Sequence, residues 1–258
     1  MPTSTPSFGD LEYWNTRFTK EDTFEWLADF AVLEPWLKQA IAERSGCKSR
    51  PQVLHIGCGS SALSLQVRDL VDSPTQIHNV DYSDVVIERN RQRENEMLRS
   101  LGVQSEPCRW SNLDLLSVSQ ILDFGGPEYD VIIDKSTSDA ISCAADVSVR
   151  LPYCVNAISS GRISHQTEVT VYPLDILAVH LAYLARPGCS WIVLSYSASR
   201  FSYLKDEVAT EGLPRPGELW NLERHEKIEQ PPDPNDTVHR PPVMHHLYVL
   251  RRTEVRLG

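Results

Sequence analysis

The spacing of apolar and polar positions divides the chain into a helical front, a run of alternating strands and helices, and a tail of two strands. Phe24, Leu27, Ala28 and Ala31 stand at i, i+3, i+4 and i+7, one apolar stripe of a helix. Pro35 suits the first turn of a second helix carrying Trp36, Leu37, Ala40 and Ile41, with Gly46 as its stop. Two consecutive helices are therefore expected over 21–44. Residues 53–56 then read as a short buried strand, followed by a glycine-rich turn and a helix to about Val71. A second strand over 76–80 ends at Asp81, and a long polar helix covers 84–100. Pro107 confines a weak strand over 107–110 to a sheet edge, where a missing N–H does no harm. A strong strand over 129–133 ends at Asp134; a helix over 174–185 stops at Pro187-Gly188, and 190–195 is another buried strand.

The tail breaks the alternation. Segments 218–228 and 243–250 are strand-like, with a proline-rich turn and no helix between them. Such strands pair antiparallel or part company, because a parallel return needs a crossover. The pattern is five strand–helix units plus a C-terminal antiparallel hairpin. That implies an α/β, doubly wound, mostly parallel sheet with helices on both faces.

Composition adds limits. Hydrophobic residues make up 41% of the 258 and charged residues 23%, as in ordinary globular proteins. No apolar run approaches the ~20 residues that span a bilayer, so no membrane association is expected. Residues 1–10 lack the basic and apolar regions of a secretory signal. The six cysteines are scattered without a CxxC pair, which favours reduced thiols in the cytoplasm over a zinc site or a disulfide framework. His245 and His246 lie on a strand apolar on both faces and read as buried, hydrogen-bonded histidines, so no metal site is expected. The net charge of −10 argues against a nucleic-acid partner. It either attracts a basic partner or simply keeps the chain dissolved.

The sharpest motif is Val53-Leu54-His55-Ile56-Gly57-Cys58-Gly59-Ser60-Ser61-Ala62. A strand runs into a turn whose glycines let a ligand approach the backbone, with helix amides aimed at the same place. Asp81 follows Gly59 by 22 residues at the end of the next strand, where an acid accepts from ribose hydroxyls. The loop alone matches both dinucleotide and S-adenosylmethionine sites. Two helices before the loop, a hairpin after the last parallel strand, and the polar run Lys135-Ser136-Thr137-Ser138-Asp139 after Asp134 favour the methyl donor.

Tyr13-Trp14-Asn15-Thr16-Arg17-Phe18 with Glu21-Asp22-Thr23-Phe24-Glu25-Trp26 resembles the N-terminal signature of a seven-stranded methyltransferase family. Its members include enzymes that modify lysines of translation elongation factor 1A. Residues 80–87, 193–196 and 246–251 resemble its second, fifth and closing strands. Residues 129–140 resemble its Asp-Lys-Gly-Thr-Leu-Asp-Ala stretch, with Ser136 and Ser138 in place of the glycine and leucine. Segment 141–172 is the divergent part and reads as a substrate-side insertion in one domain spanning 1–258.

The resemblance implies S-adenosylmethionine as cofactor, capped by an N-terminal segment over 1–20. Trp14, Arg17 and Phe18 would form that cap, with Arg17 on the methionine carboxylate; packing and a surface ion pair are the plain alternatives. Gly57, Cys58 and Gly59 form the loop, and Asp81 with Tyr82 would hold the ribose. Asp114 and Leu115 would flank the adenine, though Asp114 could equally cap a helix. Asp134 and Lys135 would sit near the sulfonium and the acceptor, Asp134 positioning it, with Asp139 beyond them, an acid better suited to a helix terminus than to a base. The leading expectation for the acceptor is a lysine of a basic, elongation factor 1A-like protein. A small-molecule N-, O- or S-methyltransferase and a catalytically silent interaction scaffold are the alternatives.

Overall fold

The computed structural model describes residues 6–46, 50–102, 105–153, 167–205, 210–230 and 242–257. Its centre is a seven-stranded sheet: β1 (Val53–Ile56), β2 (Ile77–Asp81), β3 (Arg109–Asn112), β4 (Tyr129–Lys135), β7 (Ala185–Ser195), β8 (Trp220–Glu229) and β9 (Met244–Arg252). The spatial order is β3-β2-β1-β4-β7-β9-β8. The first five strands run parallel, and β9 is antiparallel to both β7 and β8. The mostly parallel doubly wound sheet with a C-terminal antiparallel pair is the fold expected from the alternation.

The central strands β1, β2 and β4 are buried at every position because both of their faces are covered. In β4, Val131 and Ile133 face one core and Ile132 the other. One core packs Leu33, Leu37 and Ile41 of α2 (Phe30–Ser45) on the sheet. The other packs α7 (Pro173–Leu184) against Trp191, Trp220 and Tyr248. No described helix is long and apolar enough to cross a membrane.

Four expectations are corrected. Residues 21–29 are not a helix: Leu27 has φ +66°, and the stripe that suggested a helix belongs to an irregular run. The front helix is instead α1 (Leu11–Phe18), whose Asp10 side chain accepts from the Glu12 amide. Pro35 lies inside α2 instead of in its first turn. The helix after the glycine loop is only α3 (Leu63–Gln66), prolonged by a 3-10 turn to Leu70. The polar helix is α4 (Asp84–Leu101), closed by Gly102 at φ +61°, and β3 is the edge strand, two residues later than expected. Short helices α5 (Val118–Phe124), α6 (Thr137–Ile141) and α8 (Pro216–Leu219) complete the layers. Within 141–172, β5 (Val147–Leu151) and β6 (Thr167–Val171) pair antiparallel, burying Val149, Leu151 and Val171; 154–166 lie outside the described residues.

Candidate active site

The strand order reverses between β1 and β4, and the loops at the carboxyl ends of β1, β2, β3, β4 and β7 meet around a cavity of about 350 Å³. Its floor is the glycine loop. Gly57 and Gly59 both have left-handed backbone, φ +52° and +50°. The reasons differ. A Cβ on Gly57 would stand 2.4 Å from Thr137 Oγ1, so this glycine admits Thr137, whose hydroxyl donates to Ile56 O at 2.8 Å. A Cβ on Gly59 would meet nothing closer than Phe18 at 3.7 Å, leaving its face open to a ligand. Cys58 is buried between them and lines the wall.

Asp81 ends β2 against this loop. Its carboxylate accepts from the amides of Gly59 and Ser83, each at 3.0 Å. Burial pushes its carboxyl up to about 6, against those amide bonds. Tyr82 and Leu115 line the same side. Asp114 does so too, while its side chain accepts from the Leu116 amide at 2.9 Å within the turn; it does not cap a helix, since Ser117 is the N-cap of the helix that begins at Val118.

The N-terminal segment roofs the cavity. Trp14 and Phe18 stack at 5.5 Å, and Phe8, Phe24 and Trp26 join them on the wall. The roof is fastened at several points. Ser83 Oγ donates to Asn15 Oδ1 at 2.5 Å, and Arg89 donates to the carbonyls of Phe18 and Glu21 and pairs with Asp22. Ser60 donates to Glu21 at 2.5 Å. Glu25 accepts from Ser61 Oγ at 2.7 Å, from the Ala62 amide at 2.6 Å, and from Lys135 Nζ. Burial would raise the Glu25 pKa, but Lys135 and these donors outweigh it and lower it.

Two assigned residues stand elsewhere. Arg17 pairs with Glu21 at 2.6 Å and lays its guanidinium 4.8 Å from the Phe24 and Trp26 ring centres, off the cavity wall. It clamps the roof together from within. Asp134 is fully buried beneath the wall, and its Oδ1 accepts from the amides of Thr137 and Ser138 at 2.9 and 3.1 Å. It holds the first turn of α6, and burial raises its carboxyl to about 7.

Across the switch point lie Lys135, Asp139, Tyr196 and Arg200. Asp139 is held on all sides: Arg200 donates to Oδ1 at 2.6 and 2.9 Å, Ser195 Oγ donates to it at 2.5 Å, and the Tyr196 amide reaches Oδ2 at 3.0 Å. Ser136 keeps φ +69°, the left-handed backbone that a glycine adopts without cost. His246 bonds to His225 at 3.0 Å, whereas His245 is buried with neither ring nitrogen partnered, against the expectation of two hydrogen-bonded histidines. Glu21, Glu25, Tyr196 and Arg200 carried no sequence assignment. The first two stand inside the quoted N-terminal signature, but no local pattern discloses a partner 36 to 110 residues away.

A methyltransferase-domain family model matches residues 48–159. Methyltransferase srdJ of Neurospora crassa is 31% identical over 196 residues, which cover 76% of this chain and 70% of that protein. The eEF1A lysine and N-terminal methyltransferase of Danio rerio is 31% identical over 57% of this chain and 19% of its own length. EEF1A lysine methyltransferase 4 of Mus musculus is 27% identical over 55% and 49%. The chain thus spans a fifth to a half of those two relatives. Among solved structures, the N-methyltransferase NodS of Bradyrhizobium japonicum superposes with a TM-score of 0.51 at 14% identity, covering 97% of this chain and all of that one. A methyltransferase from Anabaena variabilis superposes with a TM-score of 0.53 at 10% identity, covering 97% and 96%. Both likenesses concern the fold.

The fold and the loop-and-acid site define a class I methyltransferase. The chain belongs to the S-adenosylmethionine-dependent methyltransferase family, and S-adenosylmethionine is its cofactor. The residues present fit that group: an open glycine face at Gly59, a buried acid at Asp81, and a cationic Lys135 at the other end of the loop.

Proposed function

We propose that the protein methylates a small acceptor that presents a neutral nucleophile, held between α6 and the end of β7. The observation that carries this reading is the saturation of Asp139. Arg200, Ser195 and the Tyr196 amide engage both carboxylate oxygens, and Lys135 is paired with Glu25, so the described wall of this half presents no free charge. Leu116, Ala140, Ile141 and Ala144 make up much of the rest. Such a wall favours an apolar molecule and gives a cation no counter-charge.

The cofactor supplies a methyl group already activated on a sulfonium. The chain's part is to bring the acceptor's lone pair to about 3 Å in line with it and to exclude water, which proximity and orientation achieve. In this reading Asp81 and Tyr82 hold the ribose, and Asp114 and Leu115 flank the adenine. Trp14 and Phe18 close the roof. Asp139 fixes Arg200 and the start of the β7 loop as one rigid wall.

A second reading has a specific support. Relatives named for lysine methylation of eEF1A match 55–57% of this chain, and the net charge of −10 would draw a basic protein to it in the cytoplasm. Labelled S-adenosylmethionine incubated with a fractionated lysate separates the two. Label in the small-molecule fraction is the expected result; label confined to a protein of elongation-factor size would replace the first reading with the second.

A further inference from the structure

We propose that His245 takes the proton released by the acceptor, and that the acceptor is a hydroxyl carried on an aromatic ring. His245 stands second in β9 with 1% of its surface exposed, and neither ring nitrogen has a hydrogen-bond partner. A buried imidazole without partners gives up its hydration and gains nothing in return, so it adds no stability. Its place therefore calls for another reason.

That place is behind the acceptor half of the cavity. The Tyr196 ring lies edge-on to the imidazole, with centroids 5.3 Å apart and planes at 88°. Tyr196 also lines the cavity, with 52% of its surface exposed. The two residues stand on neighbouring strands, where Ser195 of β7 pairs with His246 of β9. Asp139 of α6, on the same wall, acts on the imidazole through its charge. His245 itself does not line the cavity, so turning the Tyr196 ring aside is what brings acceptor and imidazole together.

The groups around His245 leave it neutral, the form that takes a proton. Burial lowers its pKa, and Asp139, clamped by Arg200, opposes this only in part. Ile228 of β8 is its apolar partner in register. His246 alternates to the other face of β9, where it bonds to His225 of β8, near Lys227.

This role rests on the small-acceptor reading, and the wall narrows the class further. Without a free counter-charge there, the acceptor enters uncharged. An aryl amine already offers its lone pair and needs no base, and a thiol ionises unaided at about 8.5. A hydroxyl enters neutral and must lose a proton as it attacks. An alkyl alcohol holds that proton too tightly for an imidazole, whereas a phenol, at about 10, lies within reach. Phe24, Trp26 and Tyr196 in the lining suit an aromatic body. As the hydroxyl oxygen forms its bond to the methyl carbon, the S–CH3 bond breaks and leaves its electron pair on sulfur. The hydroxyl proton moves to an imidazole nitrogen. A methyl ether and S-adenosylhomocysteine result, and the imidazolium returns its proton to solvent when Tyr196 opens.

Kinetics on phenols of graded acidity, from phenol to 4-nitrophenol, test this. His245→Phe should lose roughly 100- to 10,000-fold in kcat/KM on phenol, the worth of a general base, and far less on 4-nitrophenol, which is largely ionised at about pH 8. The variant should melt no lower than the wild type and bind S-adenosylhomocysteine equally well, because a partnerless polar group has been replaced by an apolar one. Wild-type kcat/KM on phenol should level off above an apparent pKa below the usual imidazole value, while the variant keeps climbing with pH. Equal losses across the series would make His245 structural and overturn the proposal. A wild-type profile without that inflection would overturn it with no variant needed. A wild type that methylates anilines or thiophenols of the same size but no phenol would overturn the hydroxyl class and leave the small-acceptor reading standing. Label entering only protein would overturn that reading, and the role of His245 with it.

Discussion

Asp81 accepts the Gly59 amide at 3.0 Å, so the acid that ends β2 and the loop that ends β1 are one unit. A ribose placed over Gly59 would donate to a carboxylate already fixed from below. Asp81→Ala should therefore weaken S-adenosylhomocysteine by about 1–3 kcal/mol, the range for unpaired hydrogen-bonding groups. Unchanged calorimetric affinity would remove Asp81 from the site.

The same acid gives a pH dependence. Its folded pKa, about 6, lies above the unfolded value, so the native chain holds this proton more tightly. Two hydroxyl donors need the ionised form. Cofactor affinity should accordingly rise as pH climbs from about 5 to 7 and then level off. The apo protein should move the other way: Asp81 and Asp134 both bind more protons when folded, so their contribution to stability falls between about pH 4 and 7. Melting curves of wild type and Asp134→Asn across that range check the second half, and the variant should lose part of the slope.

Much of this was legible in the chain because it is carried locally. Val53–Ile56, Ile77–Asp81 and Tyr129–Lys135 are short and bounded by turns, the first and third largely apolar, and the acids Asp81 and Asp134 at or next to the ends of two of them mark the carboxyl edge of the sheet. The wall residues Trp14, Phe18, Gly57, Gly59, Asp81, Tyr82, Asp114, Leu115, Lys135 and Asp139 follow from those strand ends and the N-terminal signature. What was not legible depends on tertiary partners. The stripe over 24–31 has helical spacing, yet Glu25 bonds to Ser61, Ala62 and Lys135, and Leu27 turns left-handed, an arrangement no helix permits. Arg17 looked free for a carboxylate because its partner Glu21 lies one helical turn on, beyond the end of α1.

Deleting residues 1–19 removes α1, the Asn15–Ser83 bond and the Trp14–Phe18 stack while sparing the sheet and both cores. The truncated chain should melt cooperatively but fail to bind S-adenosylhomocysteine at concentrations that saturate the full chain. Full affinity in a folded truncation would take the roof out of the cofactor site.

The two loop glycines should separate stability from binding. Gly57→Ala places a methyl into Thr137 on a left-handed backbone and should cost about 2–4 kcal/mol of unfolding free energy. Gly59→Ala meets open space, so its cost should stay near the ~1–2 kcal/mol of the backbone alone, while cofactor affinity collapses. Ser136→Gly should stabilise by roughly 1 kcal/mol, since glycine takes φ +69° without strain. Denaturant midpoints for the three variants, read beside calorimetry, decide each case.

The clamp on Asp139 separates the two acceptor classes. Arg200→Met would leave a carboxylate only 11% exposed without its cation, which should destabilise the protein by about 3–5 kcal/mol. Asp139→Asn is milder, because an amide oxygen in the Oδ1 position still accepts from Ser195 and Arg200, while the Tyr196 amide loses its acceptor. That variant should bind S-adenosylhomocysteine as the wild type does, since its contacts lie across the switch point from Asp81, and should lower turnover by loosening the acceptor wall. Salt then discriminates. A small neutral acceptor feels no long-range attraction, so turnover should hold steady as ionic strength rises through 0.15 M, where the screening length is about 8 Å. A lysine-rich protein drawn in by the net charge of −10 would instead lose rate steeply over the same range. A steep loss would return the acceptor site to a basic protein and leave the cofactor half untouched.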